Sequence, residues 1–334
     1  MKKAVSAVAV IAAILLVVFL AYDGIFNKET STDFFSMNTY VTAKIIGADS
    51  AECAEEIRGI TENLDLQILS RTSPSSAVYN LNSNGGGKVD SKIKSYLEIL
   101  FDVCKKSDGA FDFTLGAVSD LWSFGSEPQL PDAQQLSDAL SHSGYEKILL
   151  SGDSVVYSDK SAIIDFGATG KGIALDEIKD YLSNKKVKEA VVSVGGSVLL
   201  MGNKDFTIGI RNPKGNSGSY IAKLNIPEYC VSTSGSYEQQ FEKDGEVFHH
   251  ILSPETGMPV NNGLLSVTVL SQSGILSDAL STACFVLGVE KGMKLAKEYG
   301  CHAIFVTESK EIIVEKYAVD IIEITDDSYT LVTR

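Results

Sequence analysis

Along residues 39–46 (TYVTAKII) apolar and polar side chains alternate, the period-2 pattern of a strand with one buried face. Residues 50–69 (SAECAEEIRGITENLDLQIL) switch period, with Ile57, Ile60 and Leu64 at helical spacing. Residues 91–109 (SKIKSYLEILFDVCKKSDG) predict a helix that opens on a Ser91 cap, carries lysines in its last turn and closes at Gly109. DAQQLSDALSHSG predicts another short helix. Strand-like runs follow at 146–150, 154–158 and 161–165, then a helix starting near Lys171. From Lys188 to Ser271 short strands dominate, among them the hairpin EQQFEKDGEVFHHI with Asp244-Gly245 at its turn. ILSDALSTACFVLG and EKGMKLAKEYG read as two helices, and CHAIFVT and KEIIVEKY as closing strands. Helices and strands mixed without regular alternation predict an α+β fold with mixed, largely antiparallel sheets.

The first residues break this pattern. Lys2 and Lys3 precede an uncharged run from Ala4 to Tyr22, ended by Asp23. At 1.5 Å per residue such a run spans about 28 Å, close to the hydrocarbon thickness of a bilayer. FLAYDG offers no good small-x-small cleavage site and no cysteine closes the run. Residues 1–22 are therefore expected to be a retained signal anchor, a transmembrane helix, with cleavage as the alternative. The two lysines place the rest of the chain on the extracytoplasmic side. Residues 23–33 (DGIFNKETSTD) read as a tether, and 34–334 as one globular unit without repeats or low-complexity tracts.

Charge and cysteine usage narrow the class. The 334-residue chain carries a formal net charge of -14 and no basic stripe, which argues against binding nucleic acid. Its five cysteines include no C-x-x-C pair, which argues against a disulfide framework and against a zinc site.

Seven stretches carry candidate chemistry. In IIDFGATGKGIALD (163–176) three glycines and a lysine follow an apolar run. The spacing fits neither a Walker loop nor G-x-G-x-x-G, and reads as a strand, a tight turn and a helix N-terminus. Asp278 and Thr282 lie four apart on a helix, with Ser281 beside them, so their oxygens share one face and suit a hard cation such as Mg²⁺. The same residues also suit a helix start facing another helix. His250, in HHILSPETGMPV, is either a general base or a hydrogen-bonded histidine at a turn. The small-residue turns in VSTSGSYEQQF and VSVGGSVLL offer either an anion cradle or a sharp bend. GAFDFTLGAVSDLWSFG and IRNP offer aromatic rings, Asp112 and Arg211, either to a ligand or to ordinary packing.

Taken in order, SMNTYV, FDFTLGAVSDLWSFG, IDFGATGKGIALD, SVGGS, IRNP, STSGSYE, HHILSPETGMPV and LSDALSTACFVLG resemble the FAD:protein FMN transferase (ApbE) family over nearly the whole chain after the anchor. The resemblance implies a single α+β domain that takes FAD as substrate with Mg²⁺. It implies transfer of FMN to a Thr or Ser hydroxyl of an acceptor flavoprotein, with release of AMP. The alternatives are hydrolysis of FAD to FMN and AMP, or a membrane-tethered flavin carrier without catalysis. It maps Met37, Thr72, Ala110, Phe111, Asp112, Asp165, Lys171 and Leu252 to FAD contacts. It maps the Ala168 carbonyl, Asp278, Ser281 and Thr282 to the metal, and His250 with Asp278 to catalysis. The chain departs from the family pattern at Asn38, where Gly is usual, in the glycine loop, at Ser253, and at Ser197 and Ser236.

Overall fold

The computed structural model describes residues 27–124, 127–216 and 218–334. Nine strands form the central sheet: β1 (Glu29–Ser36), β2 (Thr39–Gly47), β3 (Val187–Val194), β4 (Ser197–Gly202), β5 (Tyr229–Gly235), β6 (Leu264–Ser271), β7 (His302–Thr307), β8 (Glu311–Val314) and β9 (Thr330–Thr333). Each lies beside its predecessor in this series, and every pairing is antiparallel except β8 with β9. The helices are α1 (Ser50–Asn63), α2 (Ala77–Asn84), α3 (Ser91–Lys106), α4 (Gly116–Trp122), α5 (Ala133–His142), α6 (Gly170–Ser183) and α7 (Gly274–Glu298). The expected mixed α+β architecture with largely antiparallel sheets is present.

The sheet is covered on both faces. On one side Val41, Ile45, Val192 and Val267 pack with Ile57 of α1, Leu97 of α3, Ile173 and Ile178 of α6, and Leu280 and Phe285 of α7. On the other, Leu200, Val231, Leu270 and Ile304 pack with Ile210, Ala222 and Leu224 of a small sheet formed by Phe206–Arg211, Tyr220–Ile226 and Ile322–Ile324. Double coverage explains why nearly every position of β6 is buried, in contrast to the alternation in β2. A third, smaller core lies apart: Val118, Trp122, Leu136, Ala139, Phe248 and Leu252 join α4, α5 and the hairpin Gln240–Lys243/Glu246–His249. The Trp122 ring is fully buried there and its Nε1–H donates to the Gly257 carbonyl at 2.8 Å.

Several expectations change. The stretch read as a tether already contains β1 from Glu29, paired along its length with β2. The expected anchor at 1–22 lies outside the described residues, among which no helix is long and apolar enough to cross a membrane. Residues 161–165 form no strand. Beyond a single bridge from Ile163 to Leu115, the Asn82 amide takes both backbone groups of Ile164, its Oδ1 accepting from Ile164 N at 2.9 Å and its Nδ2 donating to Ile164 O at 3.0 Å. The N-cap of α3 is Asp90, whose carboxylate accepts from Ile93 N at 2.9 Å, so Ser91 is the first helical residue. The two helices read at 275–288 and 290–300 are both present, abutting within α7 at Gly288, whose φ of 76° suits glycine.

Candidate active site

A cleft of about 660 Å³ opens between the main core and the smaller one. Its floor is the place where the first turns of α6 and α7 cross. Here Gly172 and Gly274 touch backbone to backbone: a Cβ on either would stand 2.2 Å from the other's carbonyl oxygen. Asp278, one turn into α7, is 5% exposed. Its Oδ2 accepts from Gly172 N at 2.7 Å and its Oδ1 from Ser197 Oγ at 2.9 Å. Ser197, one of the departures from the family pattern, thus orients the carboxylate.

The glycine loop is a tight turn built on Asp165. Its Oδ1 accepts from Gly167 N at 2.8 Å, and the Phe166 carbonyl accepts from Thr169 N and Gly170 N at 2.9 and 2.6 Å. In a continuous helix the Gly172 amide would bond back to the Ala168 carbonyl; here it turns to Asp278 instead. Ala168 lines the cleft with its carbonyl released from that bond.

Proton bookkeeping separates Thr282 from Ser281. Ser281 Oγ donates to the Asp278 carbonyl at 2.9 Å, so it accepts from Ser234 Oγ at 2.7 Å. Ser234 has then used its proton, and Thr282 Oγ1 donates to it at 3.1 Å. Thr282 lines the cleft with its lone pairs uncommitted, whereas Ser281 is fully buried behind Ser234 and does not line it. Ala168, Asp278 and Thr282 therefore offer three oxygens of different kinds to one cleft, a donor set that fits Mg²⁺.

Two adjacent histidines divide their roles. His249 is buried, with Nε2 donating to the Val260 carbonyl at 3.0 Å and Nδ1 accepting from Ile251 N at 3.3 Å. His250 faces the cleft. Its Nδ1 lies 3.3 Å from the Gln239 carbonyl, which can only accept, so Nδ1 carries the proton and Nε2 the lone pair. Loss of hydration in the cleft wall, reinforced by the Lys171 cation, pushes its pKa down to about 4. The ring is neutral at physiological pH and competent as a base.

The remaining expected residues all line the same cleft. Met37 sits at the apex of the β1–β2 hairpin. Met37 and Asn38 have φ of 53° and 56°, the two-residue primed turn, which explains why Asn serves where Gly is usual. Met37 N donates to Asp65 Oδ2 at 3.2 Å. Thr72 is exposed, and its amide donates to Ser70 Oγ at 3.2 Å. Phe111 is buried beside Ala110, and Leu252 is 6% exposed. Asp112 braces its own loop: it accepts from Thr114 N, Thr114 Oγ1 and Tyr145 N at 2.8, 2.6 and 2.9 Å. Burial raises its pKa against the pull of those bonds.

Arg71 and Glu238 are among the cleft residues that escape the reading of the sequence. Arg71 is clamped between Asp165 (Nε–Oδ2 2.9 Å) and Asp120 (Nη1–Oδ1 2.7 Å), tying the glycine loop to α4 across the cleft. Its signal was present in LSRTSP, a lone arginine next to Thr72. Glu238, the last residue of STSGSYE, also lines the cleft. Desolvation raises its carboxyl pKa, while Lys171 acts in the opposite sense. By contrast Arg211 stacks on Tyr237, 5.5 Å from the ring centroid, and does not line the cleft.

The profile describing the ApbE family matches residues 37–305. The chain belongs to the ApbE family. Among curated relatives, an FAD:protein FMN transferase of Treponema pallidum is 30% identical over 315 residues, 87% of each chain. One of Klebsiella pneumoniae is 31% identical over 297 residues, covering 86% of this chain and 92% of the relative. Among solved structures, an ApbE protein from Thermotoga maritima superposes with a TM-score of 0.80 at 28% identity, covering 88% of this chain and 99% of that one. The flavinyl transferase ApbE of Pseudomonas stutzeri gives 0.73 at 29% identity, covering 84% and 92%. In this member of the ApbE family, residues from motifs far apart along the chain line one cleft.

Proposed function

We propose that the protein is an FAD:protein FMN transferase, moving FMN from FAD onto a Thr or Ser hydroxyl of an acceptor flavoprotein and releasing AMP. The observation that carries this reading is the convergence on one cleft of Ala168, Asp278 and Thr282 with the base-competent His250 and the Lys171 ammonium. A bound Mg²⁺ would neutralise diphosphate charge. Ala168, Asp278 and Thr282 would hold it.

The residues of this chain then divide the work. The acceptor hydroxyl oxygen attacks the FMN phosphorus, and the bond from that phosphorus to the AMP phosphate oxygen breaks. His250 Nε2 takes the hydroxyl proton. Lys171 faces the charge that gathers on the phosphoryl oxygens. Met37, Ala110, Phe111, Leu252 and the glycine loop line the space for the rest of FAD. Arg71 holds Asp165 and Asp120 in place around it.

Residues 1–22 form a signal anchor in this reading, and the catalytic domain works on the extracytoplasmic side upon flavoproteins there. Incubation of the full chain with FAD, Mg²⁺ and such an acceptor tests the activity. Mass spectrometry should find one esterified FMN per acceptor, lost when the target hydroxyl is mutated. Free FMN and AMP formed at the same rate with or without acceptor would replace transfer by hydrolysis. A protease added to intact cells tests the location: an uncut domain would place it inside.

A further inference from the structure

The crossing of α6 and α7 has an internal symmetry. Gly172 is followed four residues later by Asp176, and Gly274 by Asp278. Each glycine packs against the other, and each aspartate caps the other helix. Asp278 of α7 accepts from Gly172 N of α6. Asp176 of α6 accepts from Gly274 N at 2.6 Å, Ile275 N at 2.9 Å and Ser273 Oγ at 3.0 Å, the first donors of α7. The two capping carboxylates are not equivalent in function. Asp278 lines the cleft, and Asp176 does not.

Resting on the reading of Ala168, Asp278 and Thr282 as the Mg²⁺ site, we infer that Asp176 is the positioning residue that assembles it. The Ala168 carbonyl precedes α6, whereas Asp278 and Thr282 ride on α7. Their relative placement is therefore the placement of one helix N-terminus against the other. Asp176 holds that placement with three hydrogen bonds from a single carboxylate, two of them to the backbone of α7. Its negative charge also opposes the positive end of the α7 dipole. With Asp176 neutralised to an amide, the side chain keeps one acceptor oxygen and turns a donor against the helix amides. The first turn of α7 then loses its anchor on α6, and the three oxygens no longer meet one ion at one distance. A carboxylate that orients ligands without touching the metal typically sets about 10–100-fold of metal affinity.

The test titrates Mg²⁺ alone into the full-length protein without FAD and follows the rise in melting temperature, then measures FMN transfer against Mg²⁺ concentration. In Asp176→Asn the Mg²⁺ midpoint should move up by about tenfold or more in both measurements. Near-normal kcat should return at saturating Mg²⁺. Asp132→Ala, which removes the cap of α5 in the separate smaller core, should lower the melting temperature without moving the Mg²⁺ midpoint. Should Asp176→Asn fail to fold, Ser273→Ala removes one of its three donors and should shift the midpoint in the same direction by a few-fold. An unchanged midpoint in the variant that folds, or an equal shift in Asp132→Ala, overturns the inference. A wild-type protein indifferent to Mg²⁺ overturns the metal site itself, a different failure.

Discussion

Replacing Gly172 by alanine adds one methyl group at the point where the two helices cross. The new Cβ would stand 2.2 Å from the Gly274 carbonyl oxygen, 2.6 Å from its carbonyl carbon and 2.8 Å from Asp278 Cβ. Ordinary contact begins at 3.4 Å, so the first turn of α7 must retreat by about 1.2 Å, the difference between 3.4 and 2.2 Å. No side-chain rotation relieves this, because the obstructing atoms are backbone. The Gly172 N–Asp278 Oδ2 bond, 2.7 Å in the native protein, lies directly across the widened gap. Overpacking of this kind costs about 1–3 kcal/mol. Loss of a bond to a charged group adds about 1.5–3 kcal/mol. Urea denaturation should therefore show a loss of about 3 kcal/mol or more, from the sum of those two costs. A displacement near 1 Å between catalytic parts slows turnover by about 10²-fold. FMN transfer to an acceptor, measured at saturating FAD and Mg²⁺, should fall by at least that factor. Gly59→Ala in α1 is the control: nothing stands within 4 Å of its added Cβ. Wild-type stability and rate in Gly172→Ala would show that the helix crossing does not hold the site, and the reasoning would be refuted.

Asp278→Ala should abolish transfer at every Mg²⁺ concentration, because it removes the one charged oxygen donor of the proposed cation site; turnover at low Mg²⁺ equal to wild type would refute that role. His250→Ala should keep FAD affinity and lower kcat by about 10²–10⁴-fold; an unchanged rate removes the ring from the mechanism. In the wild type, kcat/KM should hold level through neutral pH and fall only as the pH drops toward about 4, where His250 gains its proton. The same depressed pKa favours the folded state fully above the unfolded value of about 6.5 and progressively less as the pH falls toward the folded value. His250→Gln should flatten that part of an acid-stability curve. Arg71→Lys keeps the charge but cannot bridge Asp165 and Asp120 at once, so the KM for FAD should rise by about tenfold with a smaller change in kcat; an unaltered KM would show the clamp to be idle.

The chain announces its local structure plainly. Alternation marks β2, the Asp244-Gly245 pair marks its hairpin with both φ positive, and Gly288 marks the break in α7. Such features are legible because period 2, period 3.6 and positive φ are requirements on a residue and its close neighbours. The order of the motifs likewise carried the family, and every proposed site residue except Ser281 lines the cleft. Local pattern misled where a distant side chain took the place of a backbone partner, as Asn82 does at Ile164.

What only the folded chain decides are the encounters between distant segments. Gly172 and Gly274 are far apart in sequence, and nothing local in either announces that they touch. The spacing that pairs Asp278 with both Ser281 and Thr282 cannot say which hydroxyl opens to the cleft. The Ser234 hydrogen bonds say it, and Ser234 comes from another strand. Which of two neighbouring histidines is the base is settled by their surroundings: both rings donate to a carbonyl, but Ile251 N occupies the other nitrogen of His249, whereas His250 lines the cleft. Sequence spacing constrains bond rotations, whereas hydrogen bonds and contacts depend on where packing brings atoms that the chain does not itself join.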